Sequence, residues 1–254
     1  MFPLQAHRTE PYVLSETEDY AVVYKPPFIH SVPLKKGEGG TLLDWYGRIG
    51  SRTFKPSGGK EYEGGFLHRL DYETEGLVLI AKNQRTMDAL LAQQKQGVFV
   101  KEYGAFSCGP GNAGPLPGFP LFPPGISGEA LRCDAPFPIQ SYFRPWGQGR
   151  KAVRPVVTEP GRNIAADQGK PYVTEVLAAE DLYFRLRIKR GFRHQIRCHL
   201  AWIGKPILND ALYGGVVPEH SGHRGAVALR AQGFSFFDPA GGEMQTYRIP
   251  AINA

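Results

Sequence analysis

Apolar positions along this chain fall into short continuous or alternating runs, which predict strands, and into a few stripes at helical spacing. The run AVVY (21–24) reads as a short buried strand, ended by Pro26 and Pro27, whose rings force an extended loop through FIHSVP. A second continuous run, GLVLIAK (76–82), predicts another buried strand, and Asn83 is placed to cap the helix that follows. In that helix, NQRTMDALLAQQKQ, Met87, Leu90 and Leu91 lie at i, i+3 and i+4, and Gly97 supplies the stop. The alternation of VFVKEYGAF (98–106) marks a strand, and YVTEVLAAE and LYFRLRIK predict a hairpin turning at Glu180 and Asp181. A last stripe, Ile196, Leu200 and Ile203 in RHQIRCHLAWIG, predicts a short helix with one buried face and a stop at Gly204. Arg193 and Arg197, one turn apart, fall on its other faces with His194 beside them.

Other stretches lack such patterns. Residues 1–14 read as an ill-defined N-terminal arm, and 35–60 as a basic, glycine-rich surface connection around a short amphipathic piece, TLLDWYGRI. Between 104 and 150 there are nine glycines and nine prolines in 47 residues, so most of this insertion is expected to be neither helix nor central strand. Such long loops act either as lids and binding elements or as packed excursions. No internal repeat is evident. A length of 254 residues suits one large domain or two small ones, and 42% hydrophobic with 21% charged residues fits a globular chain rather than a disordered or fibrous one. The longest apolar run is far below the roughly 20 residues of a membrane-spanning helix, and no basic-then-apolar leader opens the chain. Three cysteines without a C-x-x-C pair suggest a reducing compartment, so a cytoplasmic location is expected.

Charge changes the picture. A net +6 and a pI near 9.2 suit a polyanionic partner. The stretch 185–205 carries Arg185, Arg187, Lys189, Arg190, Arg193, Arg197 and Lys205 with no acidic residue, more than the charge of the whole chain. Such a run is either a solvated face or a phosphate contact.

Candidate chemistry centres on HRLDYETEG, where Asp71 precedes a loop feeding the second buried strand. An isolated aspartate at such a place commonly caps a turn. Glu73 or Glu75 as a partner carboxylate leaves open a sugar hydrolase, in which two acids flank the bond. His194, Cys198 and His199 hint at a metal, but a zinc site asks for three or four ligands and no second cluster exists in the sequence.

HRLDYETEGLVLIAK resembles the H-R-L-D-x-x-T-S-G-L-L-x-x-A-K pattern of the RluA-type pseudouridine synthases. Four further segments agree in order. VVYKPPFIHSVP is similar to V-V-N-K-P-x-G, and VKEYGAF to K-x-Y-x-A. RGFRHQIRCHLAWIGKPILNDALYGG resembles G-R-T-H-Q-I-R-V-H-L-A-x-I-G-H-P-I-x-G-D-x-x-Y-G, and VALRAQGFSFFDPAGGE the closing L-H-A-x-x-L-x-F-x-H-P. The resemblance spans about residues 15–245, and long motifs in a fixed order carry far more weight than any one alone.

The resemblance implies a fold of α/β (α+β) type: one catalytic domain over 15–254 with a mixed, mostly antiparallel central sheet and a cleft. It implies that RNA uridine is isomerised to pseudouridine, with no cofactor or metal, by cleaving the bond from uracil N1 to the ribose, rotating the base and rejoining it through C5. Asp71 is then the essential carboxylate, as nucleophile or as base, and Arg197 its ion-pair partner. Tyr103 stacks on the uracil and helps deprotonate C5; its alternative is a core tyrosine on an alternating strand. A paired uridine must be extruded, and Arg69 is placed to fill the gap. The run 185–205, including Arg193 and His194, becomes the RNA-binding wall, and Leu229 lines the uracil pocket. The chain departs from the pattern at Glu75 (usually Ser), Phe192 and Arg193 (Arg-Thr), Tyr24 (Asn) and Arg230 (His), which touches RNA contacts rather than the chemistry. Many relatives carry a basic N-terminal RNA-binding domain, for which the residues before Glu16 are too few; recognition is therefore assigned to the catalytic domain and its insertion. The expected partner is rRNA or tRNA, bound by a monomer. The rivals are a catalytically silent RNA-binding protein and a glycoside hydrolase, the latter dismissed if Glu73 and Glu75 face solvent.

Overall fold

The computed structural model describes residues 9–50, 54–57, 63–108, 116–121, 136–158, 163–215 and 225–250. In chain order the elements are β1 (Tyr12–Glu16), β2 (Tyr20–Lys25), α1 (Leu42–Arg48), β3 (Glu75–Ala81), α2 (Gln84–Gln96), β4 (Val100–Phe106) and β5 (Phe137–Trp146). There follow β6 (Ala152–Val156), β7 (Tyr172–Glu180), β8 (Tyr183–Ile188), α3 (Gln195–Trp202), β9 (Leu229–Phe237) and β10 (Met244–Arg248). They form two compact units: the stretch up to Glu102 with that from Arg230 onward, and Tyr103–Leu229.

In the first unit the sheet order is β1-β2-β3-β9, with β10 on β9. Every residue of β2 and β3 is buried, as continuous apolar runs require of strands covered on both faces. Neighbours are antiparallel except β3 and β9, which pair in parallel through Glu75–Arg230 and Gly76–Ala231. Gly76 has φ +128°, and a Cβ there would run into the Ala231 backbone, so this close approach requires glycine. Helix α2 covers the core made by Tyr20, Val22, Leu77, Leu79, Phe99, Phe234 and Phe236. Asn83 caps it through the Thr86 amide at 2.9 Å, and Gly97 ends it at φ +73°. Leu90 is fully buried and Met87 half so, but Leu91 is exposed, because the buried face runs through Thr86 and Leu90. Helix α1 starts with a capping box between Thr41 and Asp44.

In the second unit the order is β8-β7-β5-β6, all antiparallel. The expected hairpin turns at Asp181, which takes φ +51°. Strand β5 lies inside the span expected to be mostly loop, and it contains two prolines. They fit because β5 pairs with one strand at a time, residues 137–141 with β7 and 142–146 with β6, the further bridge being at Phe143 to Ala165, so Pro138 and Pro145 are placed where no N–H is missed. Much of the remaining insertion, like residues 1–8 of the expected arm, lies outside the described residues. Strand β1 shows that the arm is ordered from Tyr12, where it pairs with β2. Helix α3 differs from its expected single stripe, since all eight of its residues are buried, Arg197 and His199 among them. The sheet is mixed and mostly antiparallel, as expected, and no described helix is long and apolar enough to cross a membrane.

Candidate active site

Asp71 sits on the turn that opens β3, and that turn is held on several sides. The Asp71 carbonyl accepts from the Thr74 amide at 3.1 Å, closing it. Before it, the Ser31 hydroxyl both accepts from the Leu70 amide (3.1 Å) and donates to the Leu70 carbonyl (3.3 Å). After it, the Tyr72 carbonyl accepts from the Phe28 amide (2.7 Å) and from Lys25 Nζ (3.4 Å). The loop behind Pro26 and Pro27 thus clamps the backbone on both sides of a half-buried aspartate. That fixes the main chain from which the carboxylate projects.

Lys25, at the end of β2, is completely buried and also donates to the carbonyls of Pro26 (3.0 Å) and Ile29 (2.8 Å). Burial pushes its pKa down to about 7, against the opposing pull of Asp71, Glu73 and Glu75. Unfolded, it returns to its ordinary 10.5, so between about pH 7 and pH 10.5 the unfolded chain binds more protons and stability rises with pH. Urea unfolding from pH 7 to pH 9 is expected to show the wild-type protein gaining stability relative to Lys25→Met; parallel profiles would contradict this.

Three of the departures from the family pattern prove to be one cluster. Arg230 Nε and Nη2 both donate to Glu75 Oε1 at 2.6 Å, and the Tyr24 hydroxyl donates to Oε2 at 2.6 Å, all buried. The ion pair joins register partners of β3 and β9, so it locks the strand that leaves the Asp71 turn. Burial first, and the Glu75 carboxylate second, push the Tyr24 phenol well up, keeping it a donor. Glu75 is therefore buried, not turned to solvent, which was the condition set for dismissing the hydrolase. It fails as a second catalytic acid for another reason: both its oxygens are engaged and its charge is balanced.

Arg69 projects its side chain, 53% exposed, and meets Glu63 at 3.0 Å. An exposed pair of this kind is worth about 0–1 kcal/mol, so the guanidinium is cheaply released. His68, on the same segment, is held neutral: burial foremost and Lys101 next push its pKa down to about 3.

In the second unit Tyr103 is buried on β4 and Leu229 is buried at the start of β9. Arg197 forms a bidentate pair with Asp210, Nε to Oδ2 at 2.7 Å and Nη2 to Oδ1 at 2.9 Å, the side chains being 3% and 0% exposed. Its guanidinium also lies over the Tyr213 ring at 5.6 Å. The Tyr213 hydroxyl accepts from the Val153 amide (2.9 Å) and lies 3.1 Å from His194 Nδ1. Asp210 is a residue the sequence reading missed, although its motif quoted the G-D-x-x-Y-G that contains it. His199 is neutral core: its nitrogens meet Thr174 (2.9 Å) and Ser141 (3.0 Å), and burial pushes its pKa down to about 3, so neither nitrogen is left to ligate a metal.

The basic run is less uniform than its charge suggested. Arg187 meets Glu175 at 3.4 Å, Arg190 meets Asp167 at 2.8 Å, and Arg197 is paired as above. Arg193 is exposed and donates to the carbonyls of Arg150 (2.9 Å) and Ala152 (3.2 Å), bracing the turn into β6. The outward cations are Arg185, Lys189 and Arg193.

The described structure sets a half-buried carboxylate, on a held backbone, at the turn that opens a buried strand of a mixed sheet. The family described as RNA pseudouridylate synthase matches residues 19–202, and the chain belongs to it. Its members convert uridine to pseudouridine in RNA, so the enzyme class is an isomerase with an RNA substrate. The chain is 27% identical over 243 residues to the uncharacterised RNA pseudouridine synthase YjbO of Bacillus subtilis, covering 94% of this chain and 71% of that one. It is 28% identical over 207 residues to the ribosomal large subunit pseudouridine synthase D of Escherichia coli K12, covering 80% of this chain and 52% of the other. It thus spans about half the length of that ribosomal relative. In fold it is similar to human RNA pseudouridylate synthase domain containing 1, with a TM-score of 0.62 at 20% identity over 95% of this chain and 84% of that one.

Proposed function

We propose that this chain isomerises uridines of structured RNA, ribosomal or transfer, through Asp71, acting as a monomer whose described elements form one catalytic domain. The observation that carries the reading is the clamp on the backbone either side of Asp71, at Leu70 by Ser31 and at Tyr72 by Phe28 and Lys25. A carboxylate on a backbone held in this way serves either route, attack on the anomeric carbon or abstraction of a sugar proton, since both need an ionised oxygen brought to a defined place. Arg197 is the second catalytic residue of this reading. Asp210 engages two of the five guanidinium donors and sets the plane of the group. Tyr103 stacks on the everted uracil, Leu229 borders it, and Arg193 and His194 meet the RNA.

The direct test is tritium release from RNA labelled at uracil C5. Wild-type protein releases tritium in proportion to pseudouridine formed, whereas a silent RNA-binding protein releases none. Arg69 acts as the wedge that replaces the flipped base: Arg69→Ala is expected to slow turnover on duplex RNA by on the order of 10-fold to 100-fold, a few kcal/mol of unstacking, and on an unstructured strand much less. Equal losses on both would remove Arg69 from that role.

A further inference from the structure

The loop that clamps Asp71 also carries a feature that neither folding nor the isomerisation explains. Phe28 has φ +64°, a left-handed conformation that glycine adopts without cost, and the family pattern K-P-x-G has glycine there. Its ring is nevertheless 45% exposed, so burial does not repay the backbone strain. Beside it Tyr72, next in sequence to Asp71, is 41% exposed. The two rings meet edge-on with centroids 5.9 Å apart, and His30 lies 4.8 Å from Tyr72 on a tilted plane. Three rings cluster on the clamped backbone, and the two exposed ones, Phe28 and Tyr72, make an apolar surface in a basic chain on the turn that carries Asp71.

We propose that Phe28 and Tyr72, with His30 behind, form a stacking platform for a single-stranded nucleobase of the RNA next to the everted uridine. This rests on the activity proposed above and adds a base contact to it. Charge complementarity selects the occupant: the chain carries a net +6, which favours a polyanion, and an exposed aromatic face takes a base that has lost its helical neighbours. The strain at residue 28 is then tolerated because it turns an aromatic ring outward at the one place where the substrate strand passes. The platform is indifferent to base identity, since every base has a π-face, so it contributes affinity and registration rather than sequence choice.

The test uses the full chain with two fluorescein-labelled 15-nucleotide single-stranded RNAs, one of mixed sequence and one with abasic riboses at its central positions, read by anisotropy. Wild-type protein is expected to bind the base-bearing RNA more tightly. Phe28→Gly keeps the fold, because glycine suits φ +64°, and is expected to bind that RNA about 5-fold to 100-fold more weakly while binding the abasic RNA as wild type does. Tyr72→Leu behaves likewise, and Phe28→Trp retains the base-dependent affinity. Variants that bind both RNAs like wild type, or lose affinity for both equally, overturn the platform. Pseudouridine formed by the wild-type protein in unmodified ribosomal RNA transcripts is measured in parallel. If none forms while the base-dependent difference persists, the activity reading fails and the platform stands; if it forms and the variants bind normally, the platform fails and the activity stands.

Discussion

Asp71→Asn is expected to lower pseudouridine formation by on the order of 10⁴-fold, about 5.4 kcal/mol in the barrier, while RNA affinity stays within a few-fold. Asparagine keeps the shape and the clamped backbone, since the bonds from Ser31, Phe28 and Lys25 reach main-chain atoms of Leu70 and Tyr72 and not the carboxylate. What it loses is the negative oxygen that either route requires. Tritium release under single-turnover conditions and anisotropy with the same RNA separate the two quantities. Parallel loss of turnover and binding would make Asp71 a structural residue.

The second large effect falls on the Arg197–Asp210 pair. Asp210→Ala leaves a guanidinium buried at 3% exposure without this partner, which costs about 3–5 kcal/mol. For a chain of this size that lowers the thermal midpoint by roughly 6–20 °C. Replacing both residues by apolar ones of similar volume, Arg197→Met with Asp210→Leu, is expected to recover much of that loss, because two desolvated charges are removed together. Pseudouridine formation is expected to stay lost in the stable double variant, under the catalytic role proposed for Arg197. A stable, active double variant would take Arg197 out of the chemistry; a single variant as stable as wild type would mean the pair contributes nothing.

The parts of this fold legible in the sequence are those whose signals are local. Strands β2 and β3 are continuous apolar runs, and α2 announces itself by Asn83 and Gly97 at its ends. Strand β5 was hidden because proline is counted against a strand on average, whereas here each proline lies where β5 pairs on one side. Strand β10, MQTYR, has no residue buried and so leaves no apolar period to read. In α3 Arg197 fell outside the apolar stripe and His199 hinted at a metal, yet Asp210 meets the one inside, and Ser141 and Thr174 the other.

The site divides along the same line. Asp71, Arg69, Tyr103 and Arg197 came from motif resemblance, which carries chemistry without geometry. Their supports did not, because Ser31 lies 39 residues from Leu70 and Arg230 lies 155 from Glu75. Three departures that looked independent, Tyr24, Glu75 and Arg230, are one hydrogen-bonded unit, and exchange of Glu75 alone would remove the partner that the other two share. Phe28 carries a signal that the sequence did hold: an aromatic where the compared pattern has glycine.

The most direct measurement is a crystal structure of Asp71→Asn with a uridine-containing RNA. The account predicts one uridine swung out of its stack, its anomeric carbon about 3–3.5 Å from the residue 71 side chain. RNA bound with every base still stacked, or a flipped uridine held away from residue 71, would contradict it.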